Sequence, residues 1–251
     1  MKEEGGCFFV KILLDYLLYM RKYIKIVIIM LIAAGAVFAF TRLNKPQNDE
    51  PDIEAMKDSI AADPAVRADH LNAEQIEQRL AQFRTARDQV VAANFDSLQG
   101  INEIALLKQQ LGDFEGARIA WEYANIIRPK NSLSFSNLAA LYHFDLKQYD
   151  KAEKNYLISI ANDPDDIPTI RNFFELYYNA IKDNAKTEAL LLRSIQNNPD
   201  RSDLYALAGG FYRDTGNIGR ALEYFKKSLE ISPNNEAVKN EIIRLEAQNK
   251  Q

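Results

Sequence analysis

The chain has 251 residues, 47% hydrophobic and 26% charged, values of a folded protein of one or two domains that exclude wholesale disorder. A single Cys7 and two histidines, His70 and His143, exclude a disulfide framework and a cysteine- or histidine-rich metal centre. The net charge of −4 is divided: residues 1–45 hold seven basic and three acidic side chains, net +4, which leaves −8 on the remainder, an acidic surface unsuited to displacing counterions from nucleic-acid phosphates.

The first element in chain order is apolar. "IVIIMLIAAGAVFAF", Ile26 to Phe40, has no charge in 15 residues. With its flanks, residues 23–41 make roughly 28 Å of helix at about 1.5 Å per residue, the thickness of a bilayer core. Nine of the 15 are Ile, Val, Leu or Phe, so insertion is favoured by about 3–5 kcal/mol. Arg21, Lys22 and Lys25 precede the run, whereas Arg42 and Lys45 are soon overtaken by "NDEPDIE". The positive-inside rule therefore expects residues 1–22 in the cytoplasm and residues 42–251 outside, in a single-pass protein of a cell (inner) membrane. A cleaved secretory signal and a buried core helix are the rival readings of the same run. Residues 1–19 leave two options open. Lys11, Asp15 and Lys22 form one stripe of an interfacial helix, or Met20, followed by a basic and then an apolar segment, is the true start.

Residues 42–71 have linker composition, acidic and broken by Pro46 and Pro51. Asn72 with Gln75 three residues later forms a capping box that opens a long helix within 72–97, whose Ile76, Leu80, Phe83 and Val90 share one face.

Beyond residue 98 the chain repeats. Prolines close helical runs at 129, 164, 199 and 233. In phase with them stand Ala117, Ala152, Thr187 and Ala221, then Trp121, Tyr156, Leu191 and Phe225. A second amphipathic helix precedes each run, with Ala105, Ala139, Phe174 and Gly209 at the position where two helices would cross closely. The small residues are read as the crossing of paired helices, the aromatics as filling between one pair and the next, and the proline as a reset of the backbone. The second and third copies each carry one extra residue, around Leu146 and Asp183, and Phe174 breaks the small-residue rule.

This pattern resembles the tetratricopeptide repeat. The resemblance implies an all-α fold: a right-handed α-solenoid of about four helix–turn–helix repeats, at 98–131, 132–166, 167–201 and 202–235. An N-terminal helix (72–97) and a C-terminal capping helix (236–251) would close its ends, and one transmembrane helix would precede it. It also implies protein or peptide binding on the surface lined by the first helix of each pair. Carried over by position, the groove residues are Asn102, Asn137, His143, Arg171, Asn172, Glu175, Tyr178 and Arg213, with Leu106, Gln109, Ala140, Leu207 and Gly210 beside them. Leu106 and Ala140 stand where a carboxylate clamp would need asparagine, which disfavours a receptor for chaperone tails.

No HExxH, CxxC, GxSxG, Walker loop or GxGxxG is present, so no enzyme activity, cofactor or small-molecule substrate is expected. Two roles remain. One is a membrane-anchored interaction module in envelope assembly, secretion or quality control of a bacterium. The other is a structural or regulatory subunit of a membrane complex that associates through the small residues Ala33, Ala34, Gly35 and Ala36.

Overall fold

The computed structural model describes residues 51–248, and the anchor expected at 23–41 lies outside them. Among the described residues no helix is long and apolar enough to cross a membrane. They form eleven α-helices and no strand. These are α1 (Ile53–Ala61), α2 (Ala73–Ala92), α3 (Leu98–Gln110), α4 (Phe114–Ile127), α5 (Ser132–Ala140), α6 (Tyr149–Asn162), α7 (Ile167–Glu175), α8 (Asn184–Asn197), α9 (Ser202–Asp214), α10 (Ile218–Ile231) and α11 (Glu236–Gln248).

From α3 to α10 the helices pair as hairpins, with α2 packed on α3 and α11 on α10. Each pair buries one apolar stripe, and a continuous core results only because neighbouring pairs stack. Side-chain caps mark many helix starts: Asn72 with Gln75 closes the capping box of α2, and Asp113, Asp183 and Asn217 cap the second helices of three hairpins.

The linker expectation for residues 42–71 is corrected where the structure describes them. Asp52 caps α1, and Ile53, Met56 and Ile60 form an i, i+3, i+7 stripe that the acidic composition masks. Ile60 is fully buried. α1 packs against α4, Lys108 Nζ donates to the Ala62 carbonyl at 2.8 Å, and the Arg67 N–H donates to the Leu111 carbonyl at 2.7 Å. The segment is thus an integral part of the first hairpin's surround.

The extra residues of the second and third copies are absorbed as π-helical turns. α5 continues as Leu141–Asp145 and α7 as Leu176–Ile181. The Leu146 N–H accordingly bonds the Leu141 carbonyl, five residues back. All four hairpin turns then reach the same left-handed residue, at Gly112 (φ 81°), Lys147 (φ 54°), Lys182 (φ 61°) and Gly216 (φ 82°). Each turn is closed by an equivalent backbone bond, from Asp113, Gln148, Asp183 and Asn217 to the carbonyls of Lys108, Tyr142, Tyr177 and Tyr212.

The crossing inside the fourth hairpin differs in one respect from the sequence expectation. A Cβ on Gly209 would stand 2.7 Å from the Phe225 ring, so the glycine makes room for that ring within its own hairpin. In the third hairpin the sizes are exchanged: Phe174 and Leu191, both buried, occupy the positions of Gly209 and Phe225. Thr187, fully buried at the alanine position, satisfies its hydroxyl on the Asp183 carbonyl at 2.7 Å.

Between hairpins a second motif recurs. Tyr142, Tyr177 and Tyr212 donate to Glu122, Glu153 and Glu188 of the preceding hairpin at 2.8, 2.9 and 2.7 Å. Lys151, Lys186 and Arg220 lie over the same three rings at 5.2, 5.3 and 5.0 Å. In the first hairpin the tyrosine position holds Lys108, only 1% exposed, whose amine points instead to α1. Burial lowers its pKa against the pull of Asp113.

Candidate functional site

The first helices of the third and fourth hairpins, α7 and α9, flank two adjoining open clefts of about 510 and 530 Å³, and α11 borders the first of them. Both are lined by Phe174, Glu175, Ala206, Leu207 and Asn235. The first extends to Tyr178, Gly210, Arg213, Asp214, Val238 and Glu241, and the second to Arg171, Asn172 and Asp203. The floor is apolar for a local reason. The π-turn after Glu175 leaves Tyr178 stacked on Phe174, with ring centroids 5.2 Å apart, and edge-on to Phe211 at 5.9 Å. Gly210 adds depth, because a Cβ there would meet nothing within 4 Å.

Charged side chains form the rim. Arg171 and Arg201 share Asp203, at 3.2 and 3.1 Å. Burial pushes the Asp203 carboxyl up, yet Arg201 and Arg171 together hold it below its ordinary range. Arg213 bridges Asp214 at 2.7 Å and Glu241 at 3.2 Å, tying α11 to α9, and its pKa is raised by the Asp214 hydrogen bond. The Tyr178 hydroxyl donates to Asp214 at 3.4 Å; burial, then Asp214, raises its pKa.

Five of the eight residues expected from sequence line these clefts: Arg171, Asn172, Glu175, Tyr178 and Arg213. The other three sit elsewhere. Asn102 is half-buried, its amide spent on the Leu98 carbonyl one turn back at 2.9 Å. Asn137 is half-buried on α5. His143, expected in the groove, is only 5% exposed because the π-turn carries it inward. It stacks on Phe144 at 3.9 Å and meets Tyr149 and Tyr156 edge-on. Burial, then Lys147, lowers its pKa, against the opposing pull of Glu175.

Phe174, Val238 and Glu241 were not legible as site residues. Phe174 read as a packing anomaly, and its partner Tyr178, four residues on, was the available signal of an aromatic face. The part played by α11 follows only from the stacking. Among the described residues no group of three or more His, Cys, Asp or Glu could hold a metal ion. The arrangement offers a solvent-open apolar trough with charged edges, suited to holding a chain segment.

A family model described as tetratricopeptide repeat matches residues 202–235, the span of α9, α10 and their closing proline. No curated protein matches the chain. Among solved structures, the C-terminal part of a TPR repeat-containing protein from Cytophaga hutchinsonii is 16% identical. The match covers 78% of this chain and 69% of that one, with a TM-score of 0.55. PilF of Pseudomonas aeruginosa is 22% identical over 61% of this chain and 69% of its own, at a TM-score of 0.48. YrrB, described as a TPR protein with an unusual peptide-binding site, is 12% identical over 65% and 83%, also at 0.48. The fourth hairpin is a tetratricopeptide repeat, and the helical array has the solenoid fold of proteins built from that repeat.

Proposed function

We propose that this tetratricopeptide-repeat array is a membrane-tethered interaction module that holds an extended segment of a partner protein in the trough between α7, α9 and α11. The observation that carries the reading is the open space over Gly210, bounded by Phe174, Tyr178 and Leu207, on the face formed by first helices. The apolar floor and charged rim of the trough suit the binding of a chain segment.

The tether is the apolar run 23–41, with the N-terminus in the cytoplasm and the array outside, in a role in envelope assembly, secretion or quality control. Tethering confines the array near membrane partners and raises their effective concentration. The small residues at 33–36 favour a second reading, in which the anchor helix itself packs against a membrane partner.

Gly210→Leu tests the trough. A Cβ there would meet nothing within 4 Å and the longer side chain reaches into the open trough, so the fold should hold while partners captured with the full chain from membranes are lost. An unchanged set of captured proteins rejects the trough. A reporter active only outside the cytoplasm, fused after Gln251, should be active, and a silent one inverts the topology. Crosslinks through residues 33–36 in place of the trough would favour the second reading.

A further inference from the structure

Resting on the trough reading, we infer that the bound segment carries a lysine or arginine next to an apolar residue, with its cation received at Glu175 beside Tyr178. The rim of the cleft between α7, α9 and α11 holds three carboxylates, Glu175, Asp214 and Glu241, against the single guanidinium of Arg213. Arg213 is already divided between Asp214 and Glu241, and Arg244 adds a second cation to Glu241 at 2.8 Å. Glu175 is different. Its carboxylate accepts from the neutral amide of Asn179, while the guanidiniums of Arg171 and Arg213 pair with other carboxylates.

The protein itself shows what such a pair receives. At two of its joints a tyrosine ring and a glutamate take one cation together: Lys186 lies over Tyr177 and pairs with Glu153 at 2.7 Å, and Arg220 lies over Tyr212 and pairs with Glu188. In the trough Tyr178 and Glu175 bring a ring and a carboxylate to within one turn of each other on the same stretch of helix, with the Tyr178 hydroxyl directed to Asp214 and the Glu175 carboxylate left to a neutral amide. The long stem of a lysine or arginine would lie along the stacked rings of Phe174 and Tyr178 while its head reaches the carboxylate. The apolar neighbour would enter the space over Gly210, beside Leu207.

An acidic segment fits less well. At the other end of the trough Arg171 and Arg201 already share Asp203, and Asp200 and Asp165 act on Arg201 as well, so little positive charge is left uncompensated there. A carboxylate brought to Glu175 would meet like charge.

The test presents the full chain to a random seven-residue peptide display library. Selected peptides should be enriched in Lys or Arg adjacent to an apolar residue and depleted in Asp and Glu. A selected peptide should bind Glu175→Gln about twofold to fivefold more weakly, as expected for a partly exposed ion pair, with the difference shrinking as salt is raised. Replacing the peptide's basic residue by glutamine should have the same effect and should add nothing in the Glu175→Gln background. Peptides that lose binding to Gly210→Leu but show no basic enrichment, or are indifferent to Glu175→Gln, overturn the charge inference and leave the trough standing. Peptides that bind Gly210→Leu as well as the unaltered chain overturn both, as does a library that yields no enrichment.

Discussion

The Tyr212 hydroxyl donates to Glu188 Oε1 at 2.7 Å across the joint between the third and fourth hairpins, and Arg220 closes the group by contacting both. The tyrosine belongs to α9, the glutamate to α8 and the arginine to α10, so three helices of two repeats meet at one carboxylate. Tyr212→Phe removes the hydroxyl while keeping the ring, and should cost about 1.5 kcal/mol, the low end of the range for hydrogen bonds to charged groups because Glu188 is partly exposed. A thermal melt that matches the unaltered chain would show the joint to be held by packing alone.

The same joints set a pH limit. Burial first, then the bonded glutamate, raises the pKa of Tyr142, Tyr177 and Tyr212 in the fold, and burial alone raises that of Tyr156. The native state therefore keeps these protons where the unfolded chain, whose tyrosines titrate near about pH 10, has begun to lose them. The associated stability is complete below about pH 10 and declines as pH climbs through the native values. Melting temperature should fall above about pH 10, and less steeply in a Tyr177→Phe, Tyr212→Phe double variant than in the unaltered chain.

Two glycines in the same backbone conformation should respond differently to alanine. Gly216 at φ 82° has open space around it, so Gly216→Ala carries only the left-handed penalty of about 1–2 kcal/mol. Gly112 at φ 81° faces the Arg67 carbonyl oxygen, 2.6 Å from where a Cβ would stand. Gly112→Ala should therefore be the more damaging in urea titrations. Conversely, Lys182→Gly relieves a left-handed lysine at φ 61° and should stabilise the chain by up to about 1 kcal/mol.

The pairing of Gly209 with Phe225 can be tested by imitating the third hairpin. Gly209→Ala drives a methyl against the ring and should cost about 1–3 kcal/mol. Phe225→Leu installs the residue type found at Leu191 and should recover part of that loss when combined with it. Strictly additive losses in the double variant would contradict the contact.

Ile60→Ala should destabilise by about 2–5 kcal/mol, the usual range for emptying a fully buried aliphatic site. A change near zero would return residues 53–61 to the status of a linker.

Much of the helical register was legible in the sequence because it depends on single residues at fixed phase. Ala117, Ala152 and Ala221 are all fully buried, and the capping box of Asn72 and Gln75 forms as its spacing requires. α1 escaped because one buried isoleucine and two half-buried neighbours in an acidic stretch give too weak a periodicity. The tyrosine–glutamate joints escaped because their partners are 20 or 24 residues apart, a separation that acquires meaning only once the hairpins stack. The trough was half legible. Arg171, Asn172, Glu175 and Tyr178 follow from helix phase, whereas Val238 and Glu241 are brought in by α11, and His143 was displaced inward by a π-turn that sequence shows only as one residue too many.

Those π-turns change what length means in this array. Between the first helix's tyrosine position and the left-handed turn, the first and fourth hairpins use four residues and the second and third use five, yet all four deliver the next helix through the same closing bond. A residue gained or lost in that short stretch is settled locally, by one hydrogen-bond step, before it can shift the helix that follows. Descendants of this chain can therefore drift in repeat length at that point without drifting in shape. An alignment requiring constant length would lose track of the second and third hairpins, although each remains in step with its neighbours.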